Sequence, residues 1–202
     1  MSDVAICLDL DGTITAAELL PRIARELDLY DEIAILTQAT IQGAIPFEKS
    51  FRLRCRLLRD VPIARVREIV AQVPLQYDVV EFVNTHPDHC FVVTGNLDVW
   101  IEPLRDQIRC PFYTSRARLT ANRELDGVQD ILNKGDAVRD LAHRFEQVVA
   151  VGEGMNDTPM FEAADVRVAH GAIHAPSQSV WQLADFVTVS GGGLCQLLAS
   201  LL

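Results

Sequence analysis

Short unbroken apolar runs alternate along the chain with segments whose apolar residues recur every three or four positions. The runs are Val4–Leu8, Cys90–Val93, Val148–Val151 and Val166–Ala169, with a last one at Asp185–Val189. Runs this short and this rich in valine predict strands buried on both faces of a parallel sheet. Helical patterns over 97–107, 135–146 and 157–164 follow Asn96, Asn133 and Asn156. Strand, turn and helix repeated in this way predict an α/β fold: a doubly wound, Rossmann-like, mainly parallel sheet. Residues 111–128 alternate mildly and carry Asp126-Gly127, which predicts a small β-hairpin.

Residues 14–76 break this rhythm. Ala16–Leu29, Phe47–Leu58 and Ile63–Val73 have helical spacing, and Pro62 opens the last of them. The expected organisation is an α/β core of residues 1–13 and 77–202, with a small helical cap, 14–76, inserted after the first strand.

Composition narrows the function. The 202 residues are 49% apolar and 23% charged, as in ordinary globular proteins. A net charge of −10 argues against nucleic acid and anionic membrane surfaces as partners, since both call for a basic face. The charge is uneven. The insert holds eight arginines and Lys49 against eight acids, which leaves −11 for the rest. No apolar run approaches the ~18 residues of a membrane span. Met1-Ser2-Asp3 lacks the basic start of a signal peptide, so a cytoplasmic location is expected. The five cysteines are scattered without zinc-ligand spacing and read as reduced thiols. Lys49 and Lys134 are the only lysines, beside 16 arginines.

Four segments carry candidate chemistry, three of them just after a predicted strand, where open α/β sheets place their sites. In Asp9-Leu10-Asp11-Gly12-Thr13 two carboxylates two apart face the same way if extended. They could hold a divalent cation, divide nucleophile and acid–base roles, or cap a helix. Gly12 permits a sharp turn that Thr13 can tie down. Thr94-Gly95-Asn96, at an expected strand-to-helix turn, suits an anion or a simple N-cap. Lys134 stands at a predicted helix start, where the dipole disfavours a cation unless an anion is near. Gly152-Glu153-Gly154-Met155-Asn156-Asp157 offers oxygen ligands of the kind Mg2+ takes, or is a surface turn.

The order of these segments, Asp-x-Asp-Gly-Thr, Thr-Gly, Lys, then Gly-Glu-Gly-x-Asn-Asp-x-Pro, resembles the haloacid dehalogenase superfamily over residues 4–160. The insert is similar to the cap of its phosphoserine phosphatase branch. The resemblance implies a magnesium-dependent phosphomonoesterase, with Mn2+ as an alternative metal, acting on a small phosphorylated metabolite. Its first candidate substrate is O-phosphoserine. Asp9 would form an aspartyl-phosphate and Asp11 serve as acid and base. Asp9, Asp11, Glu153 and Asp157 would hold the metal, with Asn156 bracing its shell. Thr94, Gly95, Lys134 and Gly12 would bind the phosphoryl group. Glu18 would meet a substrate ammonium and Arg54 a carboxylate, with Phe47 and Ile41 shaping the pocket. The family usually has Asp where this chain has Glu153.

The same residues leave other readings open. A phosphotransferase would pass the phosphoryl group to an alcohol such as homoserine. Another small phosphate could be the substrate, or a non-catalytic sensor could bind one. Helical spacing puts Arg52, Arg56 and Arg59 on one stripe and turns Arg54 about 200° away, the arginine with least reason to face water beside them. His170 and His174 follow a strand end and could approach the site, though a surface role is the first expectation, whereas Trp100 and Trp181 read as packing.

Overall fold

A computed structural model describes residues 3–41 and 44–202. Seven strands form one sheet in the order β4-β3-β2-β1-β5-β6-β7. At its centre β1 (Val4–Leu8) runs parallel to β2 (Cys90–Leu97) and β5 (Gln147–Gly152). The chain passes from β1 outward through β2 to β3 (Phe112–Leu119) and β4 (Leu125–Asp130), then returns to β5 on the other side of β1. β6 (Val166–His170) and β7 (Phe186–Thr188) continue from there. This reversal puts a crevice beyond the C-terminal end of β1.

Alternation along the inner strands builds a core on each face. Val4, Ile6 and Leu8 join Cys90, Val92, Val149 and Val151 on one side, against α5 (Tyr77–Thr85) and α10 (Gly191–Leu201). Ala5 and Cys7 join Phe91, Val93, Val148 and Ala150 on the other. There they meet α7 (Lys134–Ala142), α8 (Thr158–Ala163) and α9 (Gln178–Leu183).

Among the described residues, the regular elements between β1 and α5 are helices: α1 (Leu19–Glu26), α2 (Tyr30–Ile41), α3 (Phe47–Leu57) and α4 (Ile63–Val70). The polypeptide leaves and rejoins the sheet at adjacent points. Thr15 pairs with Leu75 in an antiparallel bridge, Ala16 N donates to Pro74 O at 2.7 Å, and Gln76 N donates to Ile14 O at 2.8 Å.

Several elements differ from expectation. The segment 97–107 is not one helix. Strand β2 runs on to Leu97 through an irregularity after Thr94, and only α6 (Glu102–Arg105) follows. Residues 111–128 do pair as β3 and β4, but β3 also joins the main sheet beside β2. β7 is an edge strand, so Phe186 and Val187 stay largely exposed rather than buried on both faces. Trp100 packs in the core, whereas Trp181 is 56% exposed.

His170 is fully buried, not a surface residue. Its Nδ1 lies 2.9 Å from Thr188 Oγ1, and burial holds its pKa down to about 4. A histidine kept neutral in the fold costs stability where the unfolded chain is protonated and the folded one is not. Stability is therefore full above about pH 6.5 and falls as pH drops toward 4. Between pH 7.5 and 5, urea denaturation is expected to show the parent losing about 2 kcal/mol more than His170→Asn. Equal losses would show that His170 does not carry this pH dependence.

Candidate active site

The crevice holds the first, third and fourth sequence segments around one buried ammonium. Lys134 Nζ donates to Asp9 Oδ1 at 2.5 Å and to Asp157 Oδ1 at 2.6 Å. All three side chains are buried. The protein's own carboxylates thus supply the anions that a lysine at the start of α7 calls for. Burial works against its charge, but Asp157 and Asp9 outweigh that and hold the ammonium above its ordinary value. Burial and then Asp157 push the Asp9 carboxyl up to about 7, against the pull of Lys134.

Asp157 is fixed from its other side as well. Its Oδ2 accepts from Glu153 N at 2.9 Å and Gly154 N at 2.8 Å. A side chain on Gly152 would put its Cβ 2.5 Å from that oxygen, so glycine is needed there.

Asp11 is held differently. Its Oδ1 accepts from Leu19 N at 2.7 Å, satisfying a free N–H in the first turn of α1, and its Oδ2 accepts from Asn96 Nδ2 at 2.5 Å. Asn96 Nδ2 is also 2.9 Å from Thr94 Oγ1. Burial and then Glu18 push the Asp11 carboxyl up to about 7, and these hydrogen bonds oppose the rise.

The turn just after the two acids is tied by residues other than the expected one. Gly12 takes φ 75°, a region that favours glycine. Thr13 Oγ1 is buried without a partner. Thr15 Oγ1 donates to Leu10 O at 3.1 Å instead, and Gln76 Nε2 donates to Gly12 O at 2.9 Å and Thr13 O at 2.8 Å.

A cavity of about 400 Å³ opens from this crevice toward the helical segment. Asp11, Gly95, Asn96 and Asn156 line it from the sheet side, and Glu18, Phe47, Phe51 and Arg54 from the helices. Arg54 is only 8% exposed. Its Nε and Nη2 donate to Ser50 O and Ser50 Oγ, at 3.4 and 3.1 Å. That leaves Nη1 for a ligand. Arg52 instead pairs with Glu48, and Arg59 with Asp126. Phe47 stacks on Phe51 at 5.9 Å and comes within van der Waals reach of Gly95. The side chain of Ile41 lies outside the described residues. Thr37 and Thr40 of the same helix line the cavity, as does His174, which is exposed and yet reaches the site. A larger cleft, about 660 Å³, lies between α4 and the β3–β4 hairpin and contains none of the four segments.

The donor set suits a divalent cation. Asp9, Asp11, Glu18, Glu153 and Asp157 stand against two permanent cations among the described residues at the site, Lys134 and Arg54, with His174 3.8 Å from Glu18. Both carboxylate oxygens of Glu153 are buried with no hydrogen-bond partner. Burial and then Asp9 push its pKa up to about 9, so a cation beside it would favour its charged form.

Comparison with known proteins places the chain. Residues 6–162 match the family model of haloacid dehalogenase-like hydrolases, and the chain belongs to that family. Within it, the chain is 29% identical to a phosphoserine phosphatase of Vibrio cholerae over 97% of its own length and 63% of the relative's. It is 26% identical to one of Methanocaldococcus jannaschii, over 81% of this chain and 83% of that one. The structure of a substrate-bound phosphoserine phosphatase complex superposes over 99% of both chains, with TM-score 0.83 and 23% identity, and so shares the fold. The chain spans less than two thirds of the Vibrio relative. No described helix is long and apolar enough to cross a membrane.

Removing one partner of a buried ion pair strands the others. Lys134→Met is expected to lose about 3–5 kcal/mol of stability at pH 8 by urea denaturation. The loss should shrink by pH 6. Without the lysine, the Asp9 carboxyl, already raised to about 7, rises further, so over this range the folded variant takes up more proton than the folded parent, and the unfolded chain, with carboxylates near 4, takes up none. A loss equal at both pH values would mean that carboxylate repulsion is not what Lys134 relieves.

Proposed function

We propose that this chain is a metal-dependent phosphomonoesterase for a small amino-acid phosphate, with O-phosphoserine as the first substrate to test. The observation that carries this is Asp9 at the end of β1, with Oδ1 bound to Lys134 and Oδ2 turned to no donor, beside an Asp11 whose pKa is raised. The match to relatives named phosphoserine phosphatase supports the substrate class. So does a cavity with an acid, Glu18, and a nearly buried guanidinium, Arg54, in its wall.

In this reading residues 14–76 form a cap over a core of 1–13 and 77–202. Glu18 receives the substrate ammonium. Arg54 offers Nη1 to the carboxylate, for which a planar guanidinium is well shaped. Phe47 closes the pocket on the side of Gly95. Thr94, Gly95, Gly12 and Lys134 hold the phosphoryl oxygens. Asp9 Oδ2 bonds to phosphorus as the ester P–O bond breaks, and the leaving alkoxide takes its proton from Asp11. Asp11, now ionised, takes a proton from water as its oxygen bonds to phosphorus. Phosphate leaves and the Asp9 carboxylate is restored. Asp9, the main-chain carbonyl of Asp11, Glu153 and Asp157 would hold Mg2+, with Asn156 beside them. When bound, the ion offsets the repulsion between carboxylate and phosphate.

A phosphate-release screen over about a hundred phosphometabolites, with Mg2+ or Mn2+, tests the reading. O-phosphoserine is expected among the best substrates. Arg54→Ala should cut kcat/KM about 100-fold on carboxylate-bearing substrates and little on others, since a lost charge-assisted hydrogen bond is worth about 2–3 kcal/mol. Equal loss on all would make Arg54 structural, and turnover surviving Asp9→Asn would overturn the covalent route.

Glu153→Asp shortens the carboxylate to the length usual in the family and is expected to keep or raise Mg2+-dependent turnover. Its abolition in Glu153→Asp but not in Glu153→Ala would remove Glu153 from the metal set.

A further inference from the structure

Gln76 is the last residue before α5, where the chain returns from the helical segment to the sheet. Its backbone N donates to Ile14 O at 2.8 Å, and its side-chain Nε2 donates to Gly12 O at 2.9 Å and Thr13 O at 2.8 Å. One residue thus grips three consecutive carbonyls of the turn that follows Asp11. A peptide is planar and trans, so fixing the Gly12 and Thr13 carbonyls also fixes which way the N–H groups of Thr13 and Ile14 point. Ile14 N is taken up by Leu10 O at 3.0 Å.

The amide has one orientation open to it. Turned the other way, its oxygen would face two carbonyl oxygens with no donor between them. Both Nε2 hydrogens are therefore committed to the turn. His170 Nε2 lies 3.5 Å from the same nitrogen, on a fully buried ring. A hydrogen there would point at an NH2 group with no lone pair to receive it. The ring therefore carries its proton on Nδ1 and donates to Thr188 Oγ1 at 2.9 Å. Burial keeps the ring neutral, as this arrangement needs. Thr188 belongs to β7 at the edge of the sheet, so the amide is backed by an element far from β1 in the strand order.

We propose that Gln76 is a positioning residue for Asp11: it holds the turn behind that carboxyl in place, and His170 and Thr188 hold Gln76. The effect on turnover rests on the phosphomonoesterase reading above. Leu19 N and Asn96 anchor the Asp11 carboxylate, and Gln76 anchors the main chain that carries it. A general acid must stay within hydrogen-bond reach of the leaving oxygen, and a small misplacement costs rate. Glu18 and Arg54, which would meet the amino-acid end of the substrate, are set by other contacts, with His174 and Ser50. Loss of the Gln76 amide therefore falls on kcat rather than on KM. The same residue closes the helical excursion, so the return of the chain and the aim of Asp11 are set together.

Gln76→Met keeps the length of the side chain and removes both donors. On the best phosphate ester found, its kcat is expected to fall about 10- to 100-fold with KM within about twofold of the parent. Gln76→Glu keeps the shape but, ionised at about pH 8, turns an acceptor toward the two carbonyls. Its kcat should be no higher than that of Gln76→Met, whereas a role in packing alone would leave it nearest the parent. Hydrogen–deuterium exchange of the full chain needs no turnover. Peptides covering residues 9–17 should exchange at least about tenfold faster in Gln76→Met, and those of β5 as in the parent. Urea denaturation checks that each variant is folded. The proposal fails if exchange over 9–17 is unchanged, if kcat stays within about twofold of the parent, or if KM rises as much as kcat falls. A parent that releases phosphate from no ester overturns the phosphomonoesterase reading instead, and exchange over 9–17 then decides alone whether Gln76 holds the turn.

Discussion

A single buried ammonium holds the site together. Lys134 bridges carboxylates 125 and 23 residues away in sequence, one at the end of the first strand and one in the turn after the fifth. Desolvating three charged groups costs several kcal/mol each, and their mutual attraction returns this only when the geometry is good. The arrangement is therefore a poor source of net stability and a strong constraint on position. Each partner has a second anchor. Asp157 is gripped by two backbone N–H groups, and Lys134 begins a helix whose apolar face is buried against the sheet. Asp9 N is bonded to Val151 O at 2.9 Å. An error in any one strand register would separate the three.

Much of this was legible in the sequence because it depends on local pattern. The inner strands β1, β2, β5 and β6 announce themselves as valine-rich runs, and the paired acids, the lysine and the glycine-rich turn lie where such strands end. Arg54 could be singled out because helical spacing alone sets it apart from Arg52, Arg56 and Arg59. The rest depends on partners distant in sequence. Nothing near Gln76 shows that its amide will meet two carbonyls of the Gly12 turn, more than sixty residues earlier. Thr94 could be read as an N-cap because the chain after Asn96 was expected to be a helix, yet the strand continues and turns the Asn96 side chain onto Asp11. Ser50 gains its role only because Arg54 lies one turn on.

Edges and helix faces account for the other differences. β7 shares the valine content of the inner strands but lies last in the sheet, and position, not composition, decides exposure. α2 was not foreseen because its apolar residues, Ile33, Ile35 and Leu36 among them, spread around the helix; Ile33 is buried while Ile35 is 68% exposed. The uneven charge of the sequence does have a structural counterpart. Four of the acids outside the helical segment, Asp9, Asp11, Glu153 and Asp157, meet at one crevice, and the helices turn Arg54 toward it.

The adjacent exit and return of the chain at Thr15 and Leu75 makes the helical segment a closed excursion. Its ends are already fixed beside each other by backbone hydrogen bonds that belong to neither the sheet nor the helices. The entropy of closing a loop grows only slowly with its length. The sheet is thus indifferent to how many residues are inserted at this point. Lengthening, shortening or exchanging the segment beyond the first turn of α1, whose Leu19 N holds Asp11, leaves strand register and the buried lysine cluster as they are, so what the pocket recognises can diverge while the residues around Lys134 are inherited intact.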